Sequence, residues 1–254
     1  MESAFMDVVG YDAFRKINLY NWTKAKSHLK MRIISKKNMQ KYAHKEVVSI
    51  PHVSFFNIAY VGAFMEDNGE CVVSHLINTG DLDTYSLEPD EIFSIGFNNM
   101  KNDNNVRLIP LSEYFSRMSE PYFAITKQKG VLNSRYGEII DKTDGIYNVL
   151  MCSSSTVVFG ASYAFIDSTL DKVRKKFRGE SYYIVPLSIH QVLFVRKKYL
   201  TEVCKQYVFD AERNMLDMLH ELNSIQAEDG ADNILSDYLY YYDAEDGKRI
   251  MVVK

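Results

Sequence analysis

Ser188 and His190 are the two residues whose types and spacing best fit acid–base chemistry. They lie in a short polar break at 187–191, between two strongly apolar runs. In extended backbone, residues two apart project to the same side, and an imidazole serves as a base near neutral pH. A nucleophilic serine also needs an oriented base, and Asp237 is the carboxylate that would complete the group. The pattern predicts a hydrolase or transferase site wherever a fold joins these three residues.

The competing interpretation of the same break is structural. No G-x-S-x-G elbow and no local acidic partner accompany Ser188. In this interpretation Pro186 and Ser188 shape a turn, and His190 makes a hydrogen bond to backbone where a strand begins. We favour it, so the sequence favours a protein that is not an enzyme.

Metal and cofactor sites find no support in the spacing of the ligand-type residues. Neither a Walker-type loop nor a GxGxxG loop is present, and the three cysteines are far apart and odd in number. The histidines show no HxH, HxxxH or HExxH spacing. We therefore expect no metal and no cofactor. The histidines stand at His28, His44, His52, His75, His190 and His220.

The basic residues are concentrated near the N-terminus. Segment 13–45 holds ten Lys or Arg and no Asp or Glu, which leaves 20 basic and 33 acidic residues elsewhere, a net charge of −13. A clustered positive field attracts polyanions, so the segment predicts contact with nucleic acid or an acidic protein. Alternatively, it docks on the acidic body or forms a solvated helix face. The candidate binding residues are Lys24, Lys26, Lys30, Arg32, Lys36 and Lys37.

A second candidate contact surface is a run of tyrosines near the C-terminus. In a strand, Tyr238, Tyr240 and Tyr242 share one face, with Leu239 and Tyr241 opposite. Exposed aromatic side chains anchor a protein partner or a stacked base. The alternative is that they cap a core and their hydroxyls reach water.

The predicted order of helices and strands indicates an α+β fold, with mixed or mainly antiparallel sheets and helices on one face. We expect two subdomains, 1–144 and 145–254. Apolar periodicity, Asn-Gly and Asp-Gly turns, proline and capping residues give the bounds. The predicted elements are a helix at about 11–29, a hairpin at 55–77, a helix opening near Glu88-Pro89, paired strands at 146–151 and 156–160, a helix from Asp167 or Ser168 to Gly179, one long helix at 200–222, and a hairpin at 239–253.

The apolar stripe of the 200–222 helix packs within its own chain or forms a dimer seam, so the oligomeric state stays open. No run approaches the length of a membrane span, and the N-terminus lacks the pattern of a signal peptide. We therefore expect a cytoplasmic protein with no membrane contact.

Several segments of the chain form a recognisable combination. They are Asn38-Met39, Pro51-His52 before FFNIAYV, EPDEIFSIGFNN at 88–99, Gly160-Ala161, VPLSIHQV at 185–192, ILSDY at 234–238 and YYYD at 240–243. Together they resemble a bacterial family, the domain of unknown function family 5688. The resemblance implies a shared fold and a bacterial, often mobile-element, origin, and it implies no reaction. The family typically has a serine where Leu187 stands and a glutamate where Gln191 stands, so a Ser-His-Glu group would lack its carboxylate here.

The combined expectation is a non-enzymatic module that binds a macromolecule. In a mobile-element setting, such a binder would engage a host or phage defence component. The contact would involve the basic segment or the tyrosine-bearing hairpin.

Overall fold

The computed structural model has an α+β fold in which every strand pair is antiparallel. It describes residues 21–52, 54–64, 71–103, 105–117, 142–155, 159–207, 210–228, 233–246 and 249–253. Within these ranges, no helix combines the length and the apolar character needed to cross a bilayer.

The strands form a four-stranded sheet, a six-stranded sheet and one short pair. The strands are β1 Leu29–Ser35, β2 Ser49–His52, β3 Phe55–Phe64, β4 Cys71–Leu76, β5 Val106–Pro110, β6 Lys142–Thr143, β7 Ile146–Tyr147, β8 Val149–Ser154, β9 Tyr182–Pro186, β10 Val192–Arg196, β11 Leu239–Asp243 and β12 Arg249–Val253. The small sheet contains β1 to β4, the large sheet has the order β12-β11-β9-β10-β8-β5, and β6 pairs with β7.

The helices connect these strands and cover the sheets. Two short 3-10 turns, Lys26–His28 and Gln40–Lys45, continue the first two helices. The α-helices are α1 Trp22–Ala25, α2 Lys36–Met39, α3 Thr79–Tyr85, α4 Pro89–Asn102, α5 Leu111–Arg117, α6 Ala161–Ala164, α7 Asp167–Lys176, α8 Lys197–Tyr207 and α9 Ala211–Glu228.

Strand β3 is the centre of the small sheet. It pairs with β1 on one side and with β2 and β4 on the other. The predicted hairpin at 55–77 is thereby confirmed, while its Asn-Gly turn lies outside the described residues. The predicted helix at 11–29 is wrong in its described part, because only Trp22–Ala25 and a 3-10 turn precede the strand that begins at Leu29.

The free edge of β1 is covered by side chains from α4 and α6. The Met31 N–H donates to Met100 Sδ at 3.1 Å, and the Ile33 N–H donates to Ser162 Oγ at 3.0 Å. Asn99 Nδ2 donates to the Leu29 carbonyl at 2.9 Å. Because buried backbone groups need partners, these bonds satisfy the edge and tie the small sheet to the second half of the chain.

Helices cover both faces of the large sheet, whereas the sequence predicted one. Strands β8, β9 and β10 are buried at every position, so both faces need an apolar cover. Leu200 and Leu219 of α8 and α9 pack on one face. Leu170 and Val173 of α7 pack on the other.

The expected subdomain boundary at Asp144 does not coincide with the boundary between the sheets. Strand β5 precedes Asp144, yet it pairs with β8 and forms an edge of the large sheet. The division between the sheets along the chain falls after α4, at about residue 103.

The helix at Glu88-Pro89 is confirmed, with Glu88 as N-cap and Pro89 in the first turn. The helix ending near Gly179 is also confirmed, and Gly179 takes a φ of 82°. The long helix at 200–222 is wrong, because α8 and α9 are separate. The Asp210 carboxylate accepts from the N–H groups of Glu212 and Arg213 at 3.0 and 3.2 Å and so caps α9.

The predicted strand at 156–160 is wrong in its described part, because residues 159 and 160 form a bend and a turn before α6. Residues 156–158 lie outside the described residues. The paired strand expected at 146–151 is instead two strands, β7 and β8, of which β8 lies between β5 and β10 in the large sheet.

A buried guanidinium anchors one end of the large sheet. Arg196 is 2% exposed, and its Nε and Nη2 donate to Asn148 Oδ1 at 3.1 and 2.6 Å. Its Nη1 pairs with Glu180 at 3.2 Å.

Replacing Asn148 by alanine is expected to lower the free energy of unfolding by about 2 kcal/mol, because it strips a buried cation of two hydrogen bonds. Chemical denaturation measures the loss. Thr143→Ala removes only the 2.8 Å bond from Asn148 Nδ2 and serves as control. If Asn148→Ala costs the same in an Arg196→Met background, the buried charge is not the cause.

Candidate functional site

The Ser188 hydroxyl closes a backbone turn. Ser188 Oγ accepts from the His190 N–H at 3.1 Å. The N–H groups of Leu187 and Ser188 both donate to the Gln191 carbonyl, at 3.0 and 3.1 Å. The polar break between β9 and β10 therefore reverses the chain, as the structural interpretation describes.

The His190 imidazole is held by groups other than Ser188. Its Nδ1 accepts from the Phe159 N–H at 3.0 Å, so the neutral ring carries its proton on Nε2. Burial lowers the His190 pKa, and a side-chain hydrogen bond with Asn233 opposes that shift. With the lone pair on Nδ1 already used, this tautomer offers no base to Ser188.

Asp237 lies on the surface and binds a different partner. Its Oδ1 accepts from Asn223 Nδ2 of α9 at 2.8 Å. Among the described residues, no hydrogen bond or ion pair connects Asp237 with Ser188 or His190. The three candidate catalytic residues are therefore not assembled as a triad.

The buried histidines predict a pH dependence of stability. Burial lowers the pKa of both His190 and His52 below the ordinary value of 6.5. Above that value the folded and unfolded states are both neutral. As the pH falls below it, the unfolded chain takes up protons first, so the free energy of unfolding should decrease until the folded pKa is reached.

The check is urea denaturation between about pH 7.5 and 5.5. His190→Asn should flatten this decrease, and the exposed control His220→Asn should not. Equal pH dependence in the wild type and both variants would contradict the role of burial.

The tyrosine run is mostly part of the core. Tyr240 and Tyr242 are fully buried, while Tyr238 is 40% exposed. The Tyr240 hydroxyl hydrogen-bonds to Ser54 and Ser236, and the Tyr182 and Tyr242 rings stack at 4.6 Å. Helices α6 and α7 cover the face of the large sheet on which Tyr240 and Tyr242 lie. Of the three tyrosines expected to form a contact surface, only Tyr238 is therefore exposed.

Two of the candidate basic residues are engaged within the molecule. Lys30 Nζ pairs with Asp103 at 2.7 Å and donates to the Tyr163 hydroxyl at 3.2 Å. The Arg32 guanidinium lies 5.0 Å from the centre of the Phe159 ring and donates to the Tyr42 hydroxyl at 3.0 Å. Lys30 is thus a structural cation, and Arg32 is held in place by aromatic rings.

The other four candidates, Lys24, Lys26, Lys36 and Lys37, are exposed at opposite ends of β1. Seven extended residues separate the pairs by about 20 Å. The Ser35 hydroxyl accepts from the Asn38 N–H at 3.1 Å and caps α2, which places Lys36 and Lys37 on the surface.

Aromatic rings and further cations lie at the α2 end of β1. The Nζ of the exposed Lys45 lies 5.7 Å from the centre of the Tyr42 ring. The Arg32 guanidinium carbon lies 5.5 Å from the centre of the same ring. A cation is attracted electrostatically to the face of an aromatic ring. We call this set the basic–aromatic surface; it comprises Arg32, Lys36, Lys37, Tyr42, Lys45 and Phe159.

A cleft of about 500 Å³ lies where the small sheet meets α4, α6 and α7, and sequence reasoning missed it. In the sequence, His52 is one of several scattered histidines and part of the Pro51-His52 segment of the resemblance. The available signal was that segments carrying the resemblance, PH at 51–52, FFN at 55–57 and GFNN at 96–99, each contribute to its lining.

Comparison with known proteins agrees with the resemblance. Residues 8–244 match the model of a family of unknown function, DUF5688. The chain belongs to this family. No curated protein and no solved structure matches the chain.

The DUF5688 match covers the small sheet, every strand of the large sheet except β12, the turn at Ser188 and the cleft. Over the described ranges, no cluster of three or more His, Cys, Asp or Glu is arranged to hold a metal ion. Cys152 is a free thiol in the core, and burial raises its pKa.

Proposed function

We propose that this chain binds a polyanionic macromolecule, with nucleic acid as the favoured target, through the basic–aromatic surface. The observation that carries the proposal is the cation–ring set in which Arg32 and the exposed Lys45 lie over Tyr42, and Arg32 also lies over Phe159. The exposed Lys36 and Lys37 begin α2, directly after the strand that carries Arg32. Lysines supply sequence-independent attraction to phosphates.

The aromatic rings favour nucleic acid over an acidic protein. Bases stack on aromatic side chains and on guanidinium planes, and both groups occur here in Tyr42, Phe159 and Arg32. An acidic peptide would use the cations but would gain nothing from the ring faces. The exposed Lys24 and Lys26, at the far end of β1, extend the footprint for a longer strand.

The experiment is a fluorescence anisotropy titration of labelled single-stranded RNA and DNA with the full chain. We expect saturable binding at about 50 mM KCl that weakens at about 200 mM, because counterions released on binding oppose it. A labelled polyglutamate peptide is the control polyanion and should bind more weakly. Binding of polyglutamate without binding of either oligonucleotide would overturn the nucleic-acid assignment in favour of an acidic protein.

A further inference from the structure

The cleft beside His52 combines an apolar wall with a small number of polar groups. It is lined by side chains from β2, β3, α4, α6, α7 and the turn before α7. Small-molecule sites are concave, mostly apolar and furnished with a few placed polar groups. The lining residues used below are His52, Asn57, Phe97, Asn98, Lys101, Phe165, Asp167 and Asp171.

His52 is a fixed neutral hydrogen-bonding group at this cleft. Its ring stacks on Phe55 at 4.8 Å and lies edge-on to Phe165 at 5.9 Å. Burial lowers the His52 pKa. Its Nδ1 is buried and has no hydrogen-bond partner among the described residues. An unsatisfied buried nitrogen is costly, so a group that restores a hydrogen bond at this ring would be bound favourably.

The charges of the lining select against anions. Lys101 of α4 supplies one positive charge, and Asp167 and Asp171 of α7 supply two negative charges. Because the two aspartates are four residues apart on one helix, they project from the same face. With His52 neutral, the lining carries a net charge of −1, which disfavours phosphate.

The uncharged lining groups favour a planar ring with hydrogen-bonding edges. Phe97 and Phe165 offer aromatic faces, and the amides of Asn57 and Asn98 both donate and accept. Carboxylates such as Asp171 accept hydrogen bonds from hydroxyl groups. A ring, polar edges and a hydroxyl-bearing portion without phosphate describe a nucleoside.

We propose that the cleft binds a nucleoside-class small molecule and discriminates against its phosphorylated form. The ring would lie against Phe97 and Phe165, with its polar edge toward His52 and Asn57. Its hydroxyl-bearing portion would lie toward Asp167 and Asp171. The site is separate from the basic–aromatic surface, and its occupancy does not depend on Lys36, Lys37 or Lys45.

The test is ligand-observed NMR and calorimetric titration of the full chain with adenosine, guanosine, cytidine and uridine, and with their 5′-monophosphates. At least one nucleoside should bind, and its monophosphate should bind about tenfold more weakly, because the phosphate meets the two carboxylates. Asp171→Asn should reduce that ratio. Asp217→Asn, on an exposed position of α9, is the matched control and should leave the ratio unchanged.

Absence of binding by all four nucleosides would overturn the proposal. A monophosphate that binds as well as its nucleoside would overturn the charge argument on which it rests. Nucleoside binding should persist when Lys36, Lys37 and Lys45 are replaced by glutamate, and its loss in that variant would contradict a separate site.

Discussion

Replacing Lys36, Lys37 and Lys45 by glutamate is expected to reduce affinity for single-stranded oligonucleotides by at least about a hundredfold at 50 mM KCl. All three side chains are exposed at the α2 end of β1. Each phosphate contact with a single strand contributes close to a factor of ten at that salt concentration, so three lost contacts exceed a hundredfold. Anisotropy titration of the wild type and the variant measures the ratio.

The matched control carries the same change of net charge elsewhere. Lys172, Lys175 and Lys198 are exposed on α7 and α8, and their replacement by glutamate also adds three acids. This control should lose much less affinity, because only long-range repulsion acts on it. Equal losses in the two variants would show that net charge, and not the basic–aromatic surface, governs binding.

Gly160→Ala is expected to lower the free energy of unfolding by about 3 kcal/mol or more. Gly160 precedes α6 and packs against the turn that contains His190. An added Cβ would lie 2.5 Å from the Ser154 nitrogen and 2.7 Å from the Ser153 Cα, and it would also collide with the His190 carbonyl oxygen. All three are backbone atoms, so relief requires that β8 and the turn separate.

Gly179→Ala is the control variant, because its added Cβ meets no neighbouring atom and so lacks the collision expected at Gly160. Gly179 has a positive φ of 82°, and no atom lies within 4 Å of its added Cβ. That variant should lose only about 1 kcal/mol, from backbone strain. Chemical denaturation of both variants gives the difference, and a Gly160→Ala loss no larger than that of Gly179→Ala would contradict the packing described at α6.

Capping residues and the alternation of side chains along a strand correctly predicted several helix ends and strand faces. The proline and acids after Glu88 predicted the start of α4, and Gly179 predicted the end of α7. The alternation of the C-terminal tyrosines correctly placed Tyr240 and Tyr242 on one face of the strand. Asp210 was the missed local signal, because the apolar period continued past it while its carboxylate capped a new helix.

Exposure could not be predicted from those local signals. Tyr240 and Tyr242 are buried because helices that begin at residues 161 and 167 cover their face. Lys30 is engaged because Asp103, 73 positions away, lies beside it. Such partners are fixed by the tertiary fold, which is also why the candidate basic residues divide into engaged and exposed members.

The partners of the candidate site residues likewise could not be predicted from local sequence signals. Ser188 and His190 were correctly placed at a break between two strands, but the Phe159 N–H that occupies the imidazole nitrogen comes from a distant segment. The His52 cleft combines segments that lie more than a hundred residues apart, so no motif spacing in the sequence could indicate it.

The most direct test of the proposed function is the salt dependence of oligonucleotide binding by the wild-type chain. With three exposed lysines contacting phosphates, the logarithm of the association constant should fall against the logarithm of the KCl concentration with a slope of about −2. The variant lacking Lys36, Lys37 and Lys45 should give a clearly shallower slope. A wild-type slope near zero, or the same slope in both proteins, would contradict binding of a polyanion at the basic–aromatic surface.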